Sequence, residues 1–244
     1  MRSLFFCLSF FCVGMSLALT NNPALDSARE LAQDGVIVDQ TSLAGQYRVN
    51  TSLDIQEANM YRLDDTLIRQ EALKVALKIR GIAVPPSSLC RGYFLDLPEE
   101  WVCRVVEFAA DYDIVTRANS RFRPHDSLTL AESLKILMVS LQIPLTNTAY
   151  SEAKIILGLL PDWEVRTLLT LREKNISFTL YDSFGRALSF TPDDDIPTAV
   201  RKIMSHRMTR GEFFQLVTIL RDSQNSDPTA HCTVYNDGCN DCVL

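Results

Sequence analysis

Leu67-Ile-Arg-Gln-Glu71, Leu128-Thr-Leu-Ala-Glu132 and Met208-Thr-Arg-Gly-Glu212 share one form, and an amphipathic run follows each. Thr129 with Glu132, and Thr209 with Glu212, fit a capping box. The Thr hydroxyl accepts from the backbone N–H three residues on, and the Glu reaches back to the Thr N–H. In the first stretch Ile68 holds the Thr position, with Thr66 the nearest substitute. Relative to the Glu, apolar residues recur at +2 (Leu73, Leu134, Phe214), +4 (Val75, Ile136, Leu216) and +5 (Ala76, Leu137, Val217). That spacing makes a helical stripe facing a core. Units of this length cannot each bury their own apolar face, so a shared helix start predicts a repeat protein.

A second signal recurs upstream. Trp101 precedes Ile114 by 13 residues and Trp163 precedes Ile176 by 13, with helical patterns between, Val102 to Ala110 and Val165 to Arg172. Asp113 and Asn175 stand just before the Ile, and Gly35 stands before Val36 after Ala28-Arg-Glu-Leu-Ala-Gln33. All three tolerate the left-handed conformation that ends a helix. The first copy has Pro23 where the Trp would fall. Each unit therefore reads as helix, loop, helix. Tyr61-Arg-Leu-Asp-Asp65 aligns with Phe122-Arg-Pro-His-Asp126, and the third copy has no counterpart. From the Ile or Val to the Glu the intervals are 35, 18 and 36 residues, so the first and third copies carry loop insertions. Short strands are expected in the inserted loops, near Ser177-Phe-Thr-Leu-Tyr181.

The run from Tyr93-Phe-Leu-Asp-Leu-Pro-Glu-Glu-Trp101 through Ala109-Ala-Asp-Tyr-Asp-Ile-Val115 to Phe122-Arg-Pro-His-Asp-Ser-Leu-Thr-Leu-Ala-Glu132 resembles a complete S-layer homology repeat. That pattern runs from Phe-x-Asp and a Trp, through Gly-Ile, to Phe-x-Pro and Thr-Arg-Ala-Glu. The middle copy is similar along its whole length. The first keeps its second half, and the third keeps Trp163 and Met208-Thr-Arg-Gly-Glu212 around a divergent loop. The resemblance implies an all-α fold, three helix-loop-helix repeats in a pseudo-threefold bundle. It also implies a non-catalytic module that holds secreted proteins on the cell envelope by binding cell-wall polysaccharide. The divisions that follow are a signal peptide (1–20), repeats at 21–82, 88–143 and 150–222, and a linker with a cysteine-rich tail (223–244).

An exported address agrees with the composition. Arg2 precedes an apolar run from Leu4 to Leu19, and Ser16 and Ala18 precede the polar Thr20-Asn-Asn-Pro, the pattern of a secretory signal peptide. About 16 apolar-biased residues are short for a bilayer span, so no stable membrane span is expected after cleavage. The expected location is secreted, on the cell surface or cell wall. In an exported chain Cys90 and Cys103, flanking the start of the middle repeat, are expected to form a disulfide. Cys232, Cys239 and Cys242 form an odd-numbered tail cluster, read as a disulfide turn in preference to a zinc site with His231. Lys and Arg total 24 against 30 acidic residues, net −6, with no basic stripe, which argues against a nucleic-acid partner.

An Arg immediately after a helix N-cap stands beside the positive end of the helix dipole and can grip a carboxylate through two hydrogen bonds. Arg69 and Arg210 occupy that position. The resemblance implies that they bind acidic groups on wall sugars, commonly a pyruvate ketal, with Trp101 and Trp163 at the groove walls. Arg62 and Arg123 are further lining candidates. Leu130 replaces the Arg in the middle copy, leaving two anion grooves at most. Neither metal nor cofactor is expected.

Catalysis is not. The chain has three histidines, His125, His206 and His231, without zinc-binding spacing, and no Gly-x-Ser-x-Gly elbow or phosphate loop. Asp193-Asp-Asp195 lacks the ordered spacing of a calcium loop. Asp162 and Glu164 flank Trp163, but helical residues two apart point in different directions. The alternative is a secreted helical scaffold that binds another envelope protein, with the third copy and the tail as contact surface.

Overall fold

The computed structural model describes residues 22–38, 58–86, 89–97, 100–146, 160–182 and 184–225. The proposed signal peptide, the first inserted loop and the tail cysteines lie outside them. The described chain is helix-rich, with one two-stranded sheet. The elements are α1 (Pro23–Gln33), α2 (Arg69–Ile79), α3 (Glu100–Asp111), α4 (Leu130–Ser140), α5 (Asp162–Glu173), β1 (Phe178–Tyr181), β2 (Ala187–Phe190), α6 (Ile196–Ser205) and α7 (Arg210–Asn225). No described helix is long and apolar enough to cross a membrane.

Helices α2, α4 and α7 begin at the three shared motifs, and their starts interlock. Leu67 N–H donates to the Met208 carbonyl (2.9 Å), Met208 N–H to Leu128 (3.1 Å), and Leu128 N–H to Leu67 (3.1 Å), closing a ring of backbone hydrogen bonds. Two residues on, a second set runs the opposite way round: Arg69 N–H donates to the Asp126 carbonyl, Leu130 to His206 and Arg210 to Asp65. The three apolar side chains at the ring are fully buried in one core cluster with α1, α4, α5, α7 and the hairpin. A smaller cluster joins α2 to α3 around Leu73, Leu77, Val106 and Phe122.

Helix pairing follows the same circuit. Helix α3 packs on α2, α5 on α4, and α1 on α7. Each opening helix thus lies against the closing helix of the preceding motif, with α1 taking its place against the last. Helices α1, α3 and α5 each pack on a helix that belongs to a different motif.

Five helices end in the same way. Gly35, Gly81, Asp113, Gln142 and Asn175 all have positive φ, between 51° and 73°. The residue after each donates its N–H back into the helix: Val36 to Leu31, Ile82 to Leu77, Ile114 to Ala109, Ile143 to Met138, Ile176 to Leu171, at 2.8–2.9 Å. This is the Schellman closure, and the apolar residue after the left-handed position folds onto the helix. Ile114, Ile143 and Ile176 are accordingly buried. The Asp-Ile and Asn-Ile pairs in the sequence are therefore helix stops, as their spacing suggests.

The capping boxes form at α4 and α7. Thr129 N–H reaches Glu132 Oε2 (3.0 Å) while Glu132 N–H reaches Thr129 Oγ1 (3.2 Å), and Thr209 with Glu212 repeats this at 2.8 and 3.2 Å. At α2 the N-cap is Ile68 and has no side-chain cap. Thr66 does not substitute for it as expected, because its backbone pairs with Thr209 instead. The +2 and +5 positions of the stripe are buried in all three helices, but Val75 and Ile136 at +4 are only half-buried. Leu216, their counterpart on α7, is buried; the β-hairpin packs over that helix.

The third insertion supplies that hairpin and α6. Strands β1 and β2 pair antiparallel from Phe178 opposite Phe190 to Tyr181 opposite Ala187, as the expected strand near Ser177–Tyr181 anticipates. Gln215 clamps the hairpin to α7, accepting from Tyr181 N–H (3.0 Å) and donating to its carbonyl (2.8 Å). Helix α7 runs to Asn225, past the boundary expected at 222. Gln224 anchors that end by donating to the Leu141 carbonyl at 2.7 Å.

Cys90 and Cys103 stand at disulfide distance, with S–S 2.09 Å and Cα–Cα 5.8 Å, tying the loop before α3 to the helix itself. Reducing this bond is expected to lower stability by about 3 kcal/mol on the loop-closure estimate. Urea unfolding with and without dithiothreitol checks it, and an unchanged midpoint would refute the cross-link's contribution.

Candidate functional site

The acidic residue of each helix start meets a cationic or imidazole side chain. At α4, Glu132 caps its own helix with Oε2 and takes Arg69, delivered from α2, on Oε1. At α2, Glu71 takes Arg210 from α7 on Oε1 (Nη1 at 2.8 Å). The Arg of one helix start therefore lands on the Glu of a different one. Sequence spacing identifies Glu132 as a cap and gives Glu71 no role, its Thr being replaced by Ile68. Their pairing with arginines appears once the three starts form a ring.

That geometry corrects part of the anion-site expectation. The first N–H groups of α2 and α7 are not free to face a ligand. Arg69 and Gln70 donate to the Asp126 and Pro124 carbonyls, and Arg210 and Gly211 to the Asp65 and Leu63 carbonyls. Both guanidiniums also meet an internal carboxylate. They differ in what remains. Arg69 spends Nη1 on the Phe122 carbonyl (3.2 Å) and Nη2 on Glu132, and its Nε is buried without a partner. Arg210 spends Nη1 on Glu71 and Nε on the Tyr61 carbonyl (3.2 Å), leaving Nη2 without a partner among the described residues.

Arg210 also faces an open cleft of about 320 Å³. Tyr61, Val75 and Phe214 contribute apolar surface to it, Trp101 a wall from the start of α3, and Lys74 and Lys78 the exposed face of α2. The two lysines make no ion pair among the described residues, and among the described lining residues three cations stand against the carboxylate of Glu71. They follow Glu71 by three and seven residues, the spacing of one helix face, which is the sequence signal that would have found them. Trp101 and Arg210, far apart in sequence, line the same cleft.

Trp163 occupies a different setting. Lys135, three residues after Glu132 as Lys74 follows Glu71, lies with its Nζ 4.9 Å over the Trp163 ring. Burial and the neighbouring Arg69 push the Lys135 amine below its usual range, partly opposed by Glu132. Glu164, beside the Trp, is raised by burial and by the Glu132 charge.

Arg62 and Arg123 do not line the Arg210 cleft. Both sit at positive φ (55° and 59°), and each pairs with an aspartate of its own turn, Asp65 and Asp126. Asp96 fixes one of these turns by accepting from the N–H groups of Phe122 and Arg123, both at 2.8 Å. Burial raises its carboxyl, but those donors prevail and hold it below the usual range. In the acidic run, Asp194 pairs with Lys202 (2.8 Å) and Asp195 caps α6 through Thr198 N–H (3.0 Å).

At the remaining junction Leu130 is buried where an Arg would stand, and Glu212 is supplied differently. His206 Nε2 lies 2.9 Å from Glu212 Oε1, the oxygen that receives the Arg in the other two. His206 occupies the place of Asp65 and Asp126, three residues before the N-cap. A His206→Ala variant is expected to cost about 1–3 kcal/mol, because the Glu212 side chain is only 4% exposed and one carboxylate oxygen loses its partner. A urea midpoint equal to the parent's would refute this role.

Scanned against models of known protein families and searched against curated proteins, the chain finds no match.

Proposed function

We propose that this chain is an exported, non-catalytic attachment module of three S-layer homology-type repeats about a pseudo-threefold axis. It binds acidic polysaccharide of the cell envelope through the Arg210 cleft. The observation that carries this reading is the convergence of Arg210, Lys74, Lys78 and Trp101 on one open cleft. A guanidinium N–H unengaged among the described residues and two lysines favour a carboxylate, and the aromatic wall offers a flat surface to a sugar ring. The closed ring of backbone hydrogen bonds and the circular helix pairing support the repeat reading. Arg69, with both terminal nitrogens committed and Nε buried, contributes less to binding.

The test is co-sedimentation of purified protein with envelope sacculi before and after mild acid removal of ketal-linked acidic groups. Pelleting that depends on those groups supports the reading; pelleting of neither preparation sinks it. A scaffold for another envelope protein is the second reading, favoured by Phe184, which stands 82% exposed near the turn of the hairpin. A protein recovered by crosslinking, with no polysaccharide bound, would select it.

A further inference from the structure

The inserted segment that distinguishes the third motif builds a second cationic cleft. It is shallow and open, about 480 Å³, and shares no lining residue with the Arg210 cleft. Arg201, Lys202, His206 and Arg207 line it, with Thr198 adding a hydroxyl. In a chain of net charge −6 this is a local reversal of sign.

The neighbouring acids decide how much of that charge is available. Asp194 neutralises Lys202, and Glu212 takes His206. Asp195 lies within the field of Arg201 but makes no ion pair with it, being held by Thr198 N–H. Arg201 and Arg207 are both exposed and pair with no carboxylate among the described residues. The fall of the helix dipole accounts for a cation in the last turn of α6. It does not account for Arg207, which lies beyond the helix and is aimed by donating Nη1 to the Ser127 carbonyl at 2.8 Å. A tethered guanidinium beside a second, unpaired one is an arrangement that recognises an oxyanion through paired hydrogen bonds. Two such groups are few for a nucleic-acid backbone, whose binders neutralise many phosphates along an extended surface.

We propose that Arg201 and Arg207 form a second anion site that binds a carboxylate or phosphate group carried on a sugar or polyol polymer. Only the choice of an envelope polymer rests on the attachment reading; the site itself does not. Placed at the junction where Leu130 removes the usual Arg, it restores an anion contact from a different part of the chain.

The test is a titration of the full-length protein followed by backbone amide shifts, using oligogalacturonate as carboxylate probe and a glycerol-phosphate oligomer as phosphate probe. Neutral maltodextrin is the control. Saturable shifts at Thr198, Ser205 and Arg207 with either charged probe, and none with the neutral one, are expected; the tighter probe identifies the group. Arg201→Glu should weaken them by about tenfold or more, the loss of one charge-assisted contact, while Arg201→Lys retains part of the affinity. Thermal melting confirms that both variants fold. Shifts unaltered by Arg201→Glu, or none at 198–207 with either probe, overturn the proposal. Shifts confined to residues 61–78 overturn it while leaving the Arg210 cleft standing. Shifts confined to 198–207 remove the Arg210 reading and leave this site.

Discussion

An Arg210→Ala variant is expected to lose about tenfold or more in affinity for acidic envelope polysaccharide, the loss of a charge-assisted hydrogen bond in a partly enclosed cleft. The side chain is about one-fifth exposed, and so is the Glu71 carboxylate it faces, so removing it also strips Glu71 of a partner. Solvent reaches that carboxylate, which keeps the stability loss modest. Arg210→Lys separates the two effects. It preserves the charge opposite Glu71 but not the planar fork, so folding should be retained and binding only partly so. Arg69→Ala should change binding much less, because Arg69 has no terminal nitrogen to spare. Sedimentation with sacculi, quantified for each folded variant, reads the order directly. Undiminished binding by Arg210→Ala would remove the cleft from the mechanism.

The largest stability effect is expected at the ring of helix starts. Leu128 is 1% exposed in the main core cluster, and Leu128→Ala should cost about 3 kcal/mol or more through lost burial and the cavity left behind. The backbone hydrogen bonds of the ring survive this change, so the loss measures packing alone. Leu89→Ala is the control: Leu89 is 82% exposed, and truncating it should leave the urea midpoint almost unmoved. Equal midpoints for the two variants would show that the three starts do not share a core.

Much of this was legible before the structure. The helix stops at Gly35, Asp113 and Asn175, the two capping boxes, the strand near Tyr181 and the Cys90–Cys103 pair follow from local chemistry, which depends on neighbours in sequence. Helix α6 carries equally local signals, which the repeat pattern does not include. Asp195 caps it, Pro197 lies in its first turn, and Ile196, Ala199, Val200, Ile203 and Met204 recur at helical spacing. The inter-motif contacts were not legible. Nothing near Arg69 in sequence says that its carboxylate is Glu132, or that Arg210 finds Glu71, because those pairings exist only after three distant segments meet. For the same reason the first-turn N–H groups, which sequence leaves open to an anion, turn out to be consumed by another segment's carbonyls. In sequence His206 is one of three histidines without zinc-binding spacing; its place as partner of Glu212, equivalent to Asp65 and Asp126, exists only once the helix starts meet.

The latch joining the three helix starts is made of main-chain atoms, and every amino acid except proline supplies them equally. Side chains at those positions are consequently free to diverge: Ile68 stands beside Thr129 and Thr209, and Leu130 beside Arg69 and Arg210. A segment can exchange these side chains and keep its place in the architecture. Specialisation of one crevice is cheap for such a molecule, whereas excising a whole segment would leave the other two with severed connections.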